Sequence, residues 1–220
     1  CVIQDKWSYF IQAYQAKHKS AAETKRAILK FKGPEAEIKH MYTDNSGELI
    51  AACKELGLDH DTSTPYRPET NGIAEQAVKR VKEGSACVLL QSGLTENFWV
   101  QAMWYYCFMR NIFDILTTGK TPYEMRFGVE CKAPIYPFGC WIEYMPIRKE
   151  DKAKLHQMGS KRLQGIFAGY HLHSGGRWSG DLLFYDWDQI ADAEYSHEIH
   201  IRRQKADEIS PVLIDEEFLF

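Results

Sequence analysis

The sequence has no long apolar run. No stretch reaches the roughly 18 to 20 apolar residues that a membrane-spanning helix needs, so no membrane partner is expected. Close cysteine pairs are missing too. Cys1, Cys53, Cys87, Cys107, Cys131 and Cys140 stand far apart, with no C-x-x-C. Zinc ribbons and fingers need such pairs so that a short loop can wrap the ion, and that class is excluded. Cysteines spread in this way read as reduced, partly buried thiols of an intracellular protein. His197 and His200 lack cysteine partners and read as a solvated polar stretch. Neither sign of charge dominates: 27 Lys and Arg stand against 30 Asp and Glu, for a net charge of −3. A basic surface for nucleic acid is therefore not a global property of the chain. Internal repeats and low-complexity segments are absent. So is an initiating methionine, and the chain, which begins at Cys1, reads as a piece of a longer protein.

What is present suits a packed fold. The 220 residues allow one large domain or two small ones, and 45% are hydrophobic and 13% aromatic. "YFIQAYQAKHKS" alternates from Tyr9 to Tyr14 and predicts a strand. "SAAETKRAILKFKG" predicts a helix, with a capping box at Ser20 and Glu23 and a stop at Gly33-Pro34. "EIKHMYT" is a short strand ending at Asp44. "GELIAACKELG" is a helix closed by Gly57, "LDHDTST" a further short strand, and "PYRPETNG" a loop. From Ile73 a long helix runs towards Gly93 on an apolar stripe of Ala74, Ala77, Val78, Val81, Ser85 and Val88. "TENFWVQAMWYYCFMRNIF" is an aromatic helix covered on most of its circumference, and Thr121-Pro122 opens a short one. After Gly128 the runs turn short and β-like, broken by Gly, Pro and Asp. The expected division is 1–128 and 129–220.

Alternating strands and helices imply an α/β sheet whose chemistry gathers at strand ends. Asp44 is at such an end, and Glu75 opens a helix after a proline-held loop. Two carboxylates so placed suit a hard cation such as Mg²⁺. A plainer account is equally open here: Asp44 caps the next helix and Glu75 complements the dipole of its own. Lys79 and Lys82 follow Glu75 by one and two turns, on the same face, where they meet phosphates or simply form a solvated pair with Glu75. Arg148, Lys149, Lys152, Lys154, Lys161 and Arg162 form another basic cluster, as do Arg202, Arg203 and Lys205. Alone, such runs are usually solvated faces.

"TDNSGEL", "STPYRPETNGIAEQAVKRV", "PFGC" and "GIFAGYH", in that order, resemble the integrase of Ty1/copia-type LTR retrotransposons. The resemblance implies an RNase H-like mixed sheet with flanking helices, without its first strand here, followed by a small mostly-β carboxy-terminal unit. It implies a D,D,E polynucleotidyl transferase that processes and joins DNA ends with Mg²⁺ or Mn²⁺. Asp44 and Glu75 are then catalytic residues and metal ligands. Lys79, Lys82, Asn71, Arg67 and Tyr66 are expected DNA contacts, with Asn71 also capping its helix and Gly72 allowing close backbone approach. The implied partners are element ends, target DNA and further copies of the chain, in the nucleus or a retrotransposon particle. Asp5 precedes the strand that matches the family's second one, so it is expected to shape a turn, and the first acid lies upstream of Cys1. Three features depart from the pattern. The interval from Asp44 to Glu75 is short, Gln76 stands where arginine is common, and no His/Cys zinc module is present.

Overall fold

The computed structural model describes residues 1–63, 72–192 and 199–220; at 191 and 192 it describes the backbone alone. The elements run β1 (Val2–Gln4), β2 (Ile11–Ala13), α1 (Ala21–Lys32), β3 (Met41–Thr43), α2 (Gly47–Leu56) and β4 (His60–Thr62). There follow α3 (Gly72–Ser92), α4 (Trp99–Phe113), α5 (Pro122–Phe127), β5 (Trp141–Tyr144), α6 (Lys149–Ala153), β6 (Leu163–Leu172) and β7 (Trp178–Asp186). The chain ends with α7 (Trp187–Asp192), β8 (Arg202–Lys205), β9 (Ile209–Pro211), β10 (Leu213–Ile214) and β11 (Glu217–Phe218). The fold is α/β, as the alternation predicts. It divides into two compact units, Cys1–Gly84 with Tyr106–Cys131 and Leu172–Arg177, and Ser85–Tyr105 with Lys132–His171 and Trp178–Phe220.

In the first unit, local chemistry sets the helix ends. Ser20 accepts the Glu23 N–H at the start of α1, and Gly33 ends the helix at φ +67°. Glu23 turns to Arg26 at 2.8 Å, so the capping box is half formed. At α5 both halves exist: Thr121 accepts from the Glu124 N–H, and the Glu124 carboxylate accepts from the Thr121 N–H at 2.7 Å. Ile3 of β1 and Met41 of β3 pack on one cluster made by Ile28 of α1 and Ala52 and Cys53 of α2. Both short ribbons, antiparallel β1–β2 and parallel β3–β4, therefore share a helical support.

The sequence predicts a half-buried strand from Tyr9 to Tyr14. Instead Phe10, Ile11, Gln12 and Ala13 are all buried and Tyr9 is exposed, with φ +58°. Gln12 is tolerated inside because its Oε1 accepts the Tyr14 hydroxyl at 2.6 Å. The outer edge of β2 is closed by a side chain. The buried Asn111 carboxamide donates to the Ile11 C=O at 2.8 Å and accepts the Ile11 N–H at 2.9 Å. Replacing Asn111 by leucine is expected to cost about 1 to 3 kcal/mol for each of the two backbone groups left buried without a partner. Urea unfolding measures this as a lower midpoint at unchanged slope.

Arg126 ties this unit together. Its guanidinium lies 4.5 Å from the Phe31 ring centroid and 4.8 Å from that of Phe10. It donates to the Phe31 C=O at 2.6 Å and the Gly175 C=O at 3.1 Å. The Gly175 N–H in turn donates to the Lys30 C=O at 2.7 Å. A methyl group at Gly33 would lie 2.6 Å from the Gly175 Cα, so the two backbones touch. Nearby, α3 and α4 cross where Gly84 leaves room for the Tyr106 ring; a Cβ there would sit 2.1 Å from ring atoms.

The second unit is built on a five-stranded sheet ordered β8-β7-β6-β5-β9. Neighbours pair antiparallel at β5–β6, β5–β9 and β7–β8. Its core joins Phe98 and Ala102 to Phe138, Ala168 and Tyr185, and Val88, Leu89 and Tyr105 pack against it. This is the mostly-β texture read after Gly128, with part of α3 and α4 supplying the cover. Beside the sheet lies a charged knot. Arg202 reaches Asp151 Oδ2 and Asp186 Oδ2, both at 2.8 Å, and the Tyr144 hydroxyl donates to Asp186 Oδ2 at 2.6 Å. Burial, then the Asp186 carboxylate, push the Tyr144 hydroxyl above its usual range.

All six cysteines are free thiols. Burial pushes the Cys107 and Cys140 thiols up to about 12.

Candidate functional site

Strands β3 and β4 run parallel, with Met41 opposite His60 and Thr43 opposite Thr62. Asp44 follows β3 directly. Its Oδ1 accepts the Ser46 N–H at 3.2 Å, which shapes the turn into α2. The N-cap of α2 is Ser46, so Asp44 lies two residues outside the helix and is not its cap. Its side chain is exposed, and its second oxygen takes no hydrogen bond among the described residues. Beneath it, the buried Thr43 hydroxyl donates to the Asp44 C=O at 2.8 Å and lies 2.8 Å from His60 Nε2.

Lys19 lies beside this strand end. It bonds Glu48 at 3.0 Å, and its ammonium is held above its ordinary range first by that partner and, more weakly, by the Asp44 carboxylate. Lys19 and His60 are both neighbours that reading along the sequence did not single out. A cation six residues after β2 carries no periodic signal. His60 is found only by aligning β4 on β3 and counting in twos.

Glu75 occupies the first turn of α3, exposed, while Ala77 and Val81 turn the opposite side of that helix into the core. Lys82 is exposed. Lys79 faces Glu83 of the next turn at 3.8 Å, so a solvated i,i+4 pair exists here, one turn later than the pair with Glu75 considered from sequence. Tyr66, Arg67 and Asn71 lie outside the described residues. A pocket of about 310 Å³ in the same unit lies elsewhere, among Tyr9, Arg80, Arg110 and Asp114, and includes neither acid.

Asp5 sits in the turn between β1 and β2. Its carboxylate accepts the Trp7 N–H, the Ser8 N–H and, at 2.5 Å, the Ser8 hydroxyl. Both oxygens are engaged in holding that turn.

Asp44 and Glu75 offer oxygen donors only, the chemistry that suits Mg²⁺ or Mn²⁺ rather than zinc. Two carboxylates are few for such a site, and no group of three or more His, Cys, Asp or Glu among the described residues is arranged to hold a metal ion.

No protein-family model matches the chain. Among curated proteins it is 26% identical over 184 residues to the retrovirus-related Pol polyprotein from transposon RE1 of Arabidopsis thaliana. That match covers 78% of this chain and 12% of the relative. To the corresponding RE2 polyprotein of the same plant it is 25% identical over 204 residues, covering 84% and 14%. The Pol polyprotein from transposon TNT 1-94 of Nicotiana tabacum is 26% identical over 146 residues, covering 61% and 10%. The chain thus spans about an eighth of the length of the first two relatives. Among solved structures, the catalytic core domain of BIV integrase is 23% identical with TM-score 0.43, covering 56% of this chain and 82% of that one. The HTLV-2 integrase catalytic core domain in complex with magnesium is 21% identical with TM-score 0.44, covering 56% and 81%. These sequence relatives are retrovirus-related Pol polyproteins of plant transposons, which is consistent with the Ty1/copia-type integrase that the four motifs resemble.

Proposed function

We propose that this chain is the acidic core and following β unit of an integrase, acting in DNA integration as part of a retrotransposon Pol polyprotein. One observation carries the reading. Asp44, at the end of β3, keeps an exposed carboxylate that caps no helix, in the sequence context of the family's second acid. Asp44 and Glu75 would hold Mg²⁺ or Mn²⁺. Bound there, the metal would supply the positive charge that an in-line phosphoryl displacement needs, as in 3′-end processing and strand transfer. Lys82 and Lys79 place cations along the Glu75 helix for the phosphates of a DNA end. Tyr66, Arg67 and Asn71 remain proposed DNA contacts. In chain order, the core role falls to residues 1–128 and an accessory role to 129–220. Further copies of the chain, and a nuclear or particle location, belong to the same reading.

By this account the 220 residues alone do not join DNA ends, because the acid that would complete the site lies upstream. The expected result is no joining of labelled oligonucleotides with Mg²⁺ or Mn²⁺. Joining appears in an amino-terminally extended chain, is abolished by Asp44→Asn or Glu75→Gln, and persists in Asp5→Asn. Joining by the 220 residues that Asp5→Asn removes would show that Asp5 is the missing acid. A second reading is a catalytically silent nucleic-acid-binding or assembly module that keeps the fold of an integrase without its chemistry. It expects the extended chain to bind DNA without joining it.

A further inference from the structure

Thr43 has one hydroxyl proton, and the Asp44 C=O takes it at 2.8 Å. The 2.8 Å contact between Thr43 Oγ1 and His60 Nε2 must then run the other way, with the ring nitrogen donating. Parallel register explains why these two meet: Met41 is opposite His60, and Thr43 lies one step along the same face. The other face carries a separate pair system, in which His40 Nδ1 lies 3.1 Å from Asp59 and Nε2 3.6 Å from Asp61. Thr43 is buried, so its hydroxyl has little water to fall back on.

We propose that His60 is a positioning residue for Asp44: its Nε2–H donates to Thr43 Oγ1, and the fixed hydroxyl holds the peptide carbonyl of Asp44, setting the direction of the exposed carboxylate. This rests on the reading of Asp44 as a metal ligand. Partners that orient a ligand from behind typically change metal affinity about 10- to 100-fold when removed.

The test uses the 220-residue chain with Mn²⁺ as the probe. Two quantities are read by NMR below the unfolding temperature of every variant. One is hydrogen exchange at the Ser46 amide, whose acceptor is Asp44 Oδ1. The other is paramagnetic broadening of the Asp44 amide during a Mn²⁺ titration. His60→Phe is expected to speed Ser46 exchange and to weaken the Mn²⁺ response by about tenfold or more. Thr43→Val, which breaks the relay from its other end at similar volume, should act alike. His60→Gln, which keeps an N–H donor, should restore both quantities. His40→Phe, on the opposite face, should change neither. Unchanged Ser46 exchange in both His60→Phe and Thr43→Val overturns the proposal. If Mn²⁺ broadens nothing near Asp44 in the unsubstituted chain, the titration moves to the amino-terminally extended chain, where the same silence sinks the metal-ligand reading, while Ser46 exchange in the 220 residues still decides the role of His60.

Discussion

Replacing Arg202 by methionine is expected to lower the unfolding free energy by about 3 to 5 kcal/mol, the usual cost of leaving buried charge uncompensated. Arg202 is 12% exposed, Asp151 6% and Asp186 3%, so water screens the knot poorly. One guanidinium serves both carboxylates and also donates to the Tyr144 hydroxyl at 3.1 Å. Lys154 does not take over, since it stands 3.9 Å from Asp186 Oδ1 and bonds Asp188 at 2.7 Å. Because the loss comes from orphaned acids and not from lost volume, it should be reversible from the other side. Adding Asp151→Asn to Arg202→Met is expected to recover part of the stability. A double-mutant cycle in urea measures the coupling, and strict additivity would mean that the knot contributes through packing alone.

The second large effect concerns a cut. A fragment ending at Gly128 is expected to show no cooperative thermal transition, whereas the 220-residue chain does. The composition change at that point is real, but the first unit draws on Leu172–Arg177 as well. Without those residues the Arg126 Nε–H loses the Gly175 C=O, and the Lys30 C=O loses both the Gly175 N–H and the Ser174 hydroxyl. Phe10 loses the cover of Gly176, whose missing Cβ is what lets the ring approach; a Cβ there would sit 2.7 Å from ring atoms. Uncovering a fully buried phenylalanine and several backbone groups together consumes most of the 5 to 15 kcal/mol that a domain of ordinary stability has. Circular dichroism melting and amide dispersion in NMR would decide it. A fragment that melts sharply near the whole chain would show that the β6–β7 connection is dispensable.

Legibility followed the range of the interactions. Ser20, Gly33, Gly57 and Thr121-Pro122 announce helix ends because caps and positive-φ stops act within a turn. The helices α1, α2 and α5 could therefore be read from local residues, and α3 from its apolar stripe. Asp44 and Glu75 stand out in the sequence because each sits in a recognisable local stretch, and their role is the one proposed above. Strand β1 was not, being three residues long, with a return turn that puts Tyr9 at φ +58°, where few would place a tyrosine. Nor were the long-range partners. Asn111 meets Ile11, Arg202 meets Asp151 and Asp186, and His60 meets Thr43 only after strands and helices have been laid against one another. Residue type hints at such pairings, since buried polar groups need partners, yet it does not say which partner.

The carboxamide of Asn111 has one more consequence. By occupying the N–H and C=O that Ile11 turns outward, it leaves that flank of the β1–β2 ribbon with no template for another strand at this point. Cys1 and Asp5 bond across to Tyr14 and Phe10, so Val2 and Gln4 direct their own backbone groups to the opposite flank. Growth of this ribbon is thus polarised. A strand that joined it, from the same polypeptide or from a neighbouring molecule, would do so along β1, because the Asn111 amide already occupies the backbone of β2 at Ile11.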